Sequence, residues 1–194
     1  VTAAALAPGF VDPVHDAQRT FRLVLDAMSH PGSIVEVASA VTAPGLAPAA
    51  AAVALALCDL ETPIWLDAET SAAAAWLRFH CGTPIVGAVG EARFAFVRHI
   101  ESMPPLDAFA LGTDEYPDRS ATLVIEVAAL CPGDGIVFAG PGIKDTARLR
   151  VDGVGREFWH ERASLAELFP RGVDLVLTCG RQLAALPRTT TVKE

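Results

Sequence analysis

The residues best equipped for chemistry are a cation and hydroxyls that follow Pro187: Arg188, Thr189, Thr190 and Thr191. A guanidinium fork beside hydroxyl donors suits the oxygens of a phosphate or phosphonate. The same arginine could equally pair with an acid at a boundary between layers or subunits. A second stretch, Gly140-Pro141-Gly142, sets glycine on both sides of a proline. Such a turn allows a tight, exposed backbone path that aims N–H groups at an anion, although the proline removes one donor. Its plainer role is a turn between strands. Arg78 and His80 are expected at the end of a helix, where a cation favours the negative pole of the peptide dipoles. His80 could alternatively act as a general acid or base.

Other familiar chemistry lacks its spacing. There is no G-x-S-x-G elbow and no Walker loop, and Ser29-His30 adjacency alone does not make a catalytic dyad. The five histidines show neither H-x-x-x-H nor H-E-x-x-H spacing, so a dedicated metal site is not expected. Asp114, Glu115 and Asp118 form an acidic loop that is either simply solvated or holds magnesium through a substrate phosphate.

Composition narrows the partners. At 194 residues and 52% apolar content, the chain is expected to fold as one domain over 1–194. A formal charge of -8 with only two lysines, Lys144 and Lys193, argues against nonspecific binding to nucleic acid or acidic membranes. Small molecules and proteins are the expected partners. The longest apolar run, Ala49 to Cys58, reaches about half of the ~20 residues a membrane-spanning helix needs. The opening VTAAALAPGF does not read as a signal peptide. Cys58, Cys81, Cys131 and Cys179 are widely spaced and read as reduced thiols of a cytoplasmic protein.

The elements that must position these residues alternate along the chain. Asp12-Pro13 starts a helix whose face of Val14, Ala17, Phe21, Val24, Leu25 and Met28 is predicted to be buried. Ala49 to Leu57 predicts a helix of small residues, and Ile64 to Leu66 a short strand. A helix ends at Phe79 with Ala72, Ala75, Trp76 and Phe79 on one face. Ala121 to Ala128 and Gly135 to Ala139 predict two strands separated by a Pro132 to Gly135 turn. Helical spacing runs through Trp159, Arg162, Leu165 and Phe169. Val173 to Thr178 alternates like a half-buried strand, and Leu183 to Leu186 forms its neighbour. The fold class is α/β, a mixed sheet flanked by helices.

Six ordered stretches resemble the PhnH family of the bacterial carbon–phosphorus lyase system: DAQRTFRLVLDAMSHPG, WLRFHCGTP, SATLVIEV, GPGI, FPRGVDLVLTCG and LPRTTTV. They run from Asp16 to Val192, with one departure at His80-Cys81, where the likeness predicts histidine then threonine. The resemblance implies a fold similar to pyridoxal-phosphate (PLP)-dependent transferases but without the cofactor. A Schiff-base enzyme needs a lysine, and of the two present Lys193 lies at the end while Lys144 follows the glycine turn. The resemblance further implies a homodimer that joins PhnG, PhnI and PhnJ and acts with PhnL. Together they would displace adenine from ATP with a phosphonate to give a ribose 1-phosphonate 5-triphosphate. Gly140, Pro141 and Gly142 are then expected to meet Arg188, Thr189 and Thr190, joined by Arg78, and to hold either a phosphonate or nucleotide ligand or a neighbouring subunit. The rival reading is a stand-alone phosphoryl- or nucleosidyl-processing enzyme.

Overall fold

The computed structural model describes residues 7–38 and 41–193. Most of the opening segment read above for a signal peptide (residues 1–6), and Ala40 at the start of the following loop, lie outside those residues. A sheet of six strands runs in the order β1 (Val35–Glu36), β8 (Gln182–Leu186), β7 (Asp174–Cys179), β4 (Thr122–Glu126), β3 (Phe94–Val97), β2 (Ile64–Leu66). β2, β3, β4 and β7 are mutually parallel, whereas β8 and β1 are antiparallel additions. The sheet is therefore mixed, as the alternating elements predict. A second sheet of three strands places β5 (Ala129–Ala139) between β6 (Ala147–Asp152) and β9 (Thr191–Lys193).

Two apolar layers sandwich the larger sheet. One side carries α1 (Pro13–Ser29), α2 (Pro48–Leu57) and α3 (Ala74–Cys81) over Val124, Val176 and Ala185. The other carries α4 (Arg156–Leu165) and the second sheet over Leu123, Leu175 and Leu177. This explains why β7 is not half-buried. Leu175 and Leu177 face one layer, Val176 the other, and all three are fully buried. Alanine dominates α2, and Ala49 through Val53 are buried, so the small side chains let this helix sit close to the strands.

Three departures have physical causes. The Pro132 to Gly135 stretch is not a turn between strands but an irregularity within β5, where the register with β6 shifts between Pro132 and Ile136. Proline there supplies no ladder donor, and a bulge tolerates that. On α3 the buried side is Trp76 and Leu77, while Phe79 is 65% exposed. The largest departure is α1. Its buried residues are Thr20, Val24 and Ala27, whereas Val14 is 75% exposed, Phe21 49% and Leu25 57%. The apolar arc of the helix is wider than its own domain covers.

Candidate functional site

The glycine turn and the threonine run meet. β5 ends at Ala139 opposite Thr191, which brings Gly140 beside Thr189 and Thr190. A Cβ on Gly140 would lie 2.7 Å from the Thr189 carbonyl oxygen, so only glycine fits there. Gly142, with φ +83°, leaves room for the Ser29 carbonyl at the end of α1. Ser29-His30-Pro31 is thus drawn into the same corner, a convergence no local sequence pattern announces.

A groove opens along this corner. Its larger part, about 470 Å³, is walled by Met28, Phe169, Pro170 and Pro187, with Arg188 and Thr189 at its base. A smaller part of about 220 Å³ continues past Pro141, Ala166 and Thr191, and the two share Phe169, Arg188 and Thr189.

Arg188 is held firmly by an acid. Asp174 accepts from its backbone N–H at 2.7 Å, from Nε at 3.3 Å and from Nη2 at 2.7 Å, and Nη1 donates to the Pro117 carbonyl. Both side chains are only 17% exposed. This guanidinium is thus neutralised across the boundary between β7 and the turn after β8. What faces the groove from the same turn is Thr189, with no bond to its hydroxyl among the described residues. The Thr190 hydroxyl is buried and has no partner among the described residues, and Thr191 Oγ1 donates to the Ala139 carbonyl at 3.1 Å.

Behind the turn lies a second cation. Arg162 of α4 is 2% exposed, and its Nη2 donates to the Pro187 carbonyl at 2.7 Å and the Thr190 carbonyl at 3.4 Å. No carboxylate pairs with it among the described residues. Burial pulls the guanidinium down to about 10, with the opposing charge of Asp174 favouring protonation and Arg188 disfavouring it. It therefore stays charged at neutral pH and fixes the Pro187–Thr190 turn from inside. Its sequence signal was its place in the apolar spacing with Trp159 and Leu165, a position where an arginine has to find buried acceptors.

Arg78 and His80 are held elsewhere. α3 packs on α2, which separates it from α1 and the groove. Arg78 is exposed, and its carbonyl accepts the N–H of Gly82, the left-handed residue that ends the helix. His80 Nε2 lies 3.0 Å from the Ala7 carbonyl, which can only accept, so Nε2 carries the proton. The same carbonyl accepts Trp76 Nε1 at 2.9 Å, and a Cβ on Gly9 would lie 3.1 Å from the ring. In this arrangement His80 and Trp76 fasten the segment before α1 onto α3. Within the acidic loop, Asp114 pairs with Arg171 at 3.2 Å, while Asp118 lines the groove. Among the described residues no group of three or more His, Cys, Asp or Glu is arranged to hold a metal.

At the opposite edge of the sheet, Asp67 went unnoticed in the sequence. Its Oδ1 accepts from the backbone and hydroxyl of Thr70, both at 2.8 Å, and Oδ2 from the backbone N–H groups of Arg98 at 2.7 Å and His99 at 3.2 Å. It is 5% exposed. Burial alone would raise this carboxyl, but the bonds from Thr70, Arg98 and His99 outweigh it and hold it below the usual carboxylate range. The cluster joins the ends of β2 and β3 to the helix that follows.

A mixed sheet flanked by helices, with a groove beside the Gly140–Gly142 turn whose arginine is paired to Asp174, defines an α/β protein with a polar corner at one margin of its sheet. The chain belongs to the PhnH family: the model for the bacterial phosphonate metabolism protein PhnH matches residues 8–193. It is 43% identical over 187 residues to the alpha-D-ribose 1-methylphosphonate 5-triphosphate synthase subunit PhnH of Rhizobium meliloti (strain 1021), covering 95% of this chain and 94% of that one. It is 30% identical over 178 residues to HtxG of Stutzerimonas stutzeri, provisionally named a C-P lyase subunit protein, covering 90% and 85% respectively. No helix among the described residues is long and apolar enough to cross a membrane.

Proposed function

We propose that this chain is a cytoplasmic subunit of a carbon–phosphorus lyase assembly that works with PhnG, PhnI and PhnL to make a ribose 1-phosphonate 5-triphosphate, and that it does not turn over substrate alone. The observation that carries this reading is the uncovered apolar face of α1. Val14, Phe21 and Leu25 are exposed along one stripe, and the stripe continues through Met28 into the groove beside Phe169, itself 62% exposed. A patch of this kind, flanked by the exposed charges of Arg22 and Asp26, suits a neighbouring subunit. The isolated chain forms a homodimer through this stripe, and in the assembly the chain joins PhnG, PhnI and PhnJ.

The corner where Gly140, Pro141 and Gly142 meet Thr189 and Thr190 holds an anionic group of substrate or of a neighbour. The Thr189 hydroxyl makes the contact, with the buried Arg162 behind the turn supplying positive field. The chain acts as one domain with a core like that of PLP-dependent transferases, and it uses no PLP. In support of this, a Schiff base needs a lysine, and of the two present Lys144 stands exposed in the turn after Gly142 while Lys193 is exposed on the edge strand β9.

The test is Phe21→Glu. Light scattering of the purified chain should shift from dimer to monomer, and copurification with the partner subunits should fall by at least about tenfold while the melting temperature is kept. An unchanged dimer and full recovery of the assembly would remove α1 from the interface.

A further inference from the structure

We propose that the cleft between α4 and the β5–β9 edge binds an organic polyphosphate, a planar or apolar body carrying at least two phosphate charges. This cleft is distinct from the Arg188 groove and does not depend on the subunit reading. It encloses about 500 Å³, within the roughly 300–1,000 Å³ typical of small-molecule sites. One wall is the stripe Arg156, Trp159, His160 and Ala163, spaced so that all four share a side of α4. The other is Ile136 of β5 with Val192 and Lys193 of β9. β9 is an edge strand bonded only to β5.

Charge and shape agree on the ligand. In a chain of formal charge -8, this cleft is lined by Arg156, Lys193 and the donor-capable His160, with no carboxylate among the described lining residues. Neither Arg156 nor Lys193 forms an ion pair within the described residues, whereas six other arginines do. The acids of α4 turn away. Glu157 and Glu161 line a different cleft, and Glu161 accepts the Leu106 N–H at 2.5 Å. The first turn of α4 has no side-chain cap, so its N–H groups add positive potential beside Arg156.

The floor is apolar and rigid. Trp159 is 5% exposed and held by Phe138 at 5.7 Å and Phe158 at 5.2 Å between ring centroids. Ile136 and Val192 complete it. A bare inorganic anion would leave this floor unused, and a neutral apolar ligand would leave two cations unpaired. A nucleoside polyphosphate satisfies both halves.

The probe is ATP, titrated calorimetrically into the purified full chain, with adenosine and inorganic tripolyphosphate as separate arms. The expected result is measurable ATP binding, weaker tripolyphosphate binding and none for adenosine. Arg156→Gln and Lys193→Gln should each weaken ATP about tenfold, and Ala163→Glu, which sets a carboxylate in the cleft, should abolish it. Arg148→Gln, exposed on β6, should leave affinity unchanged, and thermal melts check that each variant folds. Three results would overturn the proposal: no ATP binding at millimolar concentration, affinity unchanged in the Arg156→Gln/Lys193→Gln double variant, or tripolyphosphate bound as tightly as ATP. Loss of this binding would leave the subunit reading standing, since that reading is tested by assembly through Phe21.

Discussion

Asp174 has to compensate cations that it meets on two sides, Arg188 directly and Arg162 through space. Changing it to asparagine keeps the shape but leaves two guanidinium groups in a poorly hydrated corner. Asp174→Asn should therefore lower stability by about 2–3 kcal/mol, read as a lower urea midpoint at constant slope. Asp67 makes a different prediction. Its carboxyl is held below its unfolded value, so the stability it confers is complete above about pH 4 and is lost as pH falls through the folded value. Asp67→Asn should flatten the acid limb of the stability profile, and an unchanged limb would deny Asp67 that role. The sequence made Arg188 visible because arginine before threonines is a distinctive pattern. It left the acid unnamed, since Asp174 read merely as the polar partner in an alternating strand. Arg78 and His80 showed the right residue types, but only the layer order α1–α2–α3 reveals how far they stand from the groove.

At the scale of elements, the Gly140–Gly142 turn is a joint between β5, β9 and the end of α1. Its tolerance for change is set by backbone contact, not by side chains. Gly142→Ala should cost at least about 2 kcal/mol, because φ is +83° and the added methyl would overlap the Ser29 carbonyl. Gly155→Ala, where nothing lies within 4 Å and the backbone is ordinary, should stay within about 0.5 kcal/mol in the same thermal or urea measurement. Equal effects at both positions would mean that the turn is not a tight joint. Element types were legible where periodicity was strong, as in α1, α2, β7 and β8. The length of β5 was not, because Pro132-Gly133-Asp134-Gly135 carries every mark of a turn, and only pairing with β6 keeps it in a strand. The orientation of α1 was also hidden. Periodicity shows that an apolar face exists, not whether its own domain or a neighbour covers it.

Across the whole molecule, two apolar layers enclose a mixed sheet, and the polar equipment gathers at its margins. The α/β class and the mixed sheet followed from alternating elements with no long linker between them. The second sheet did not, since β9 comprises three residues after a proline and is defined only by its partner. Among the described residues, the groove offers the Thr189 hydroxyl, and its arginine is already paired with Asp174. The proposal that the chain works only with its partner subunits can therefore be tested on the reaction itself. The most direct measurement is adenine release from ATP and methylphosphonate, followed by chromatography. The purified chain alone should release none above background, and adding PhnG, PhnI and PhnL should start the reaction. Sustained release by the chain alone would contradict the account.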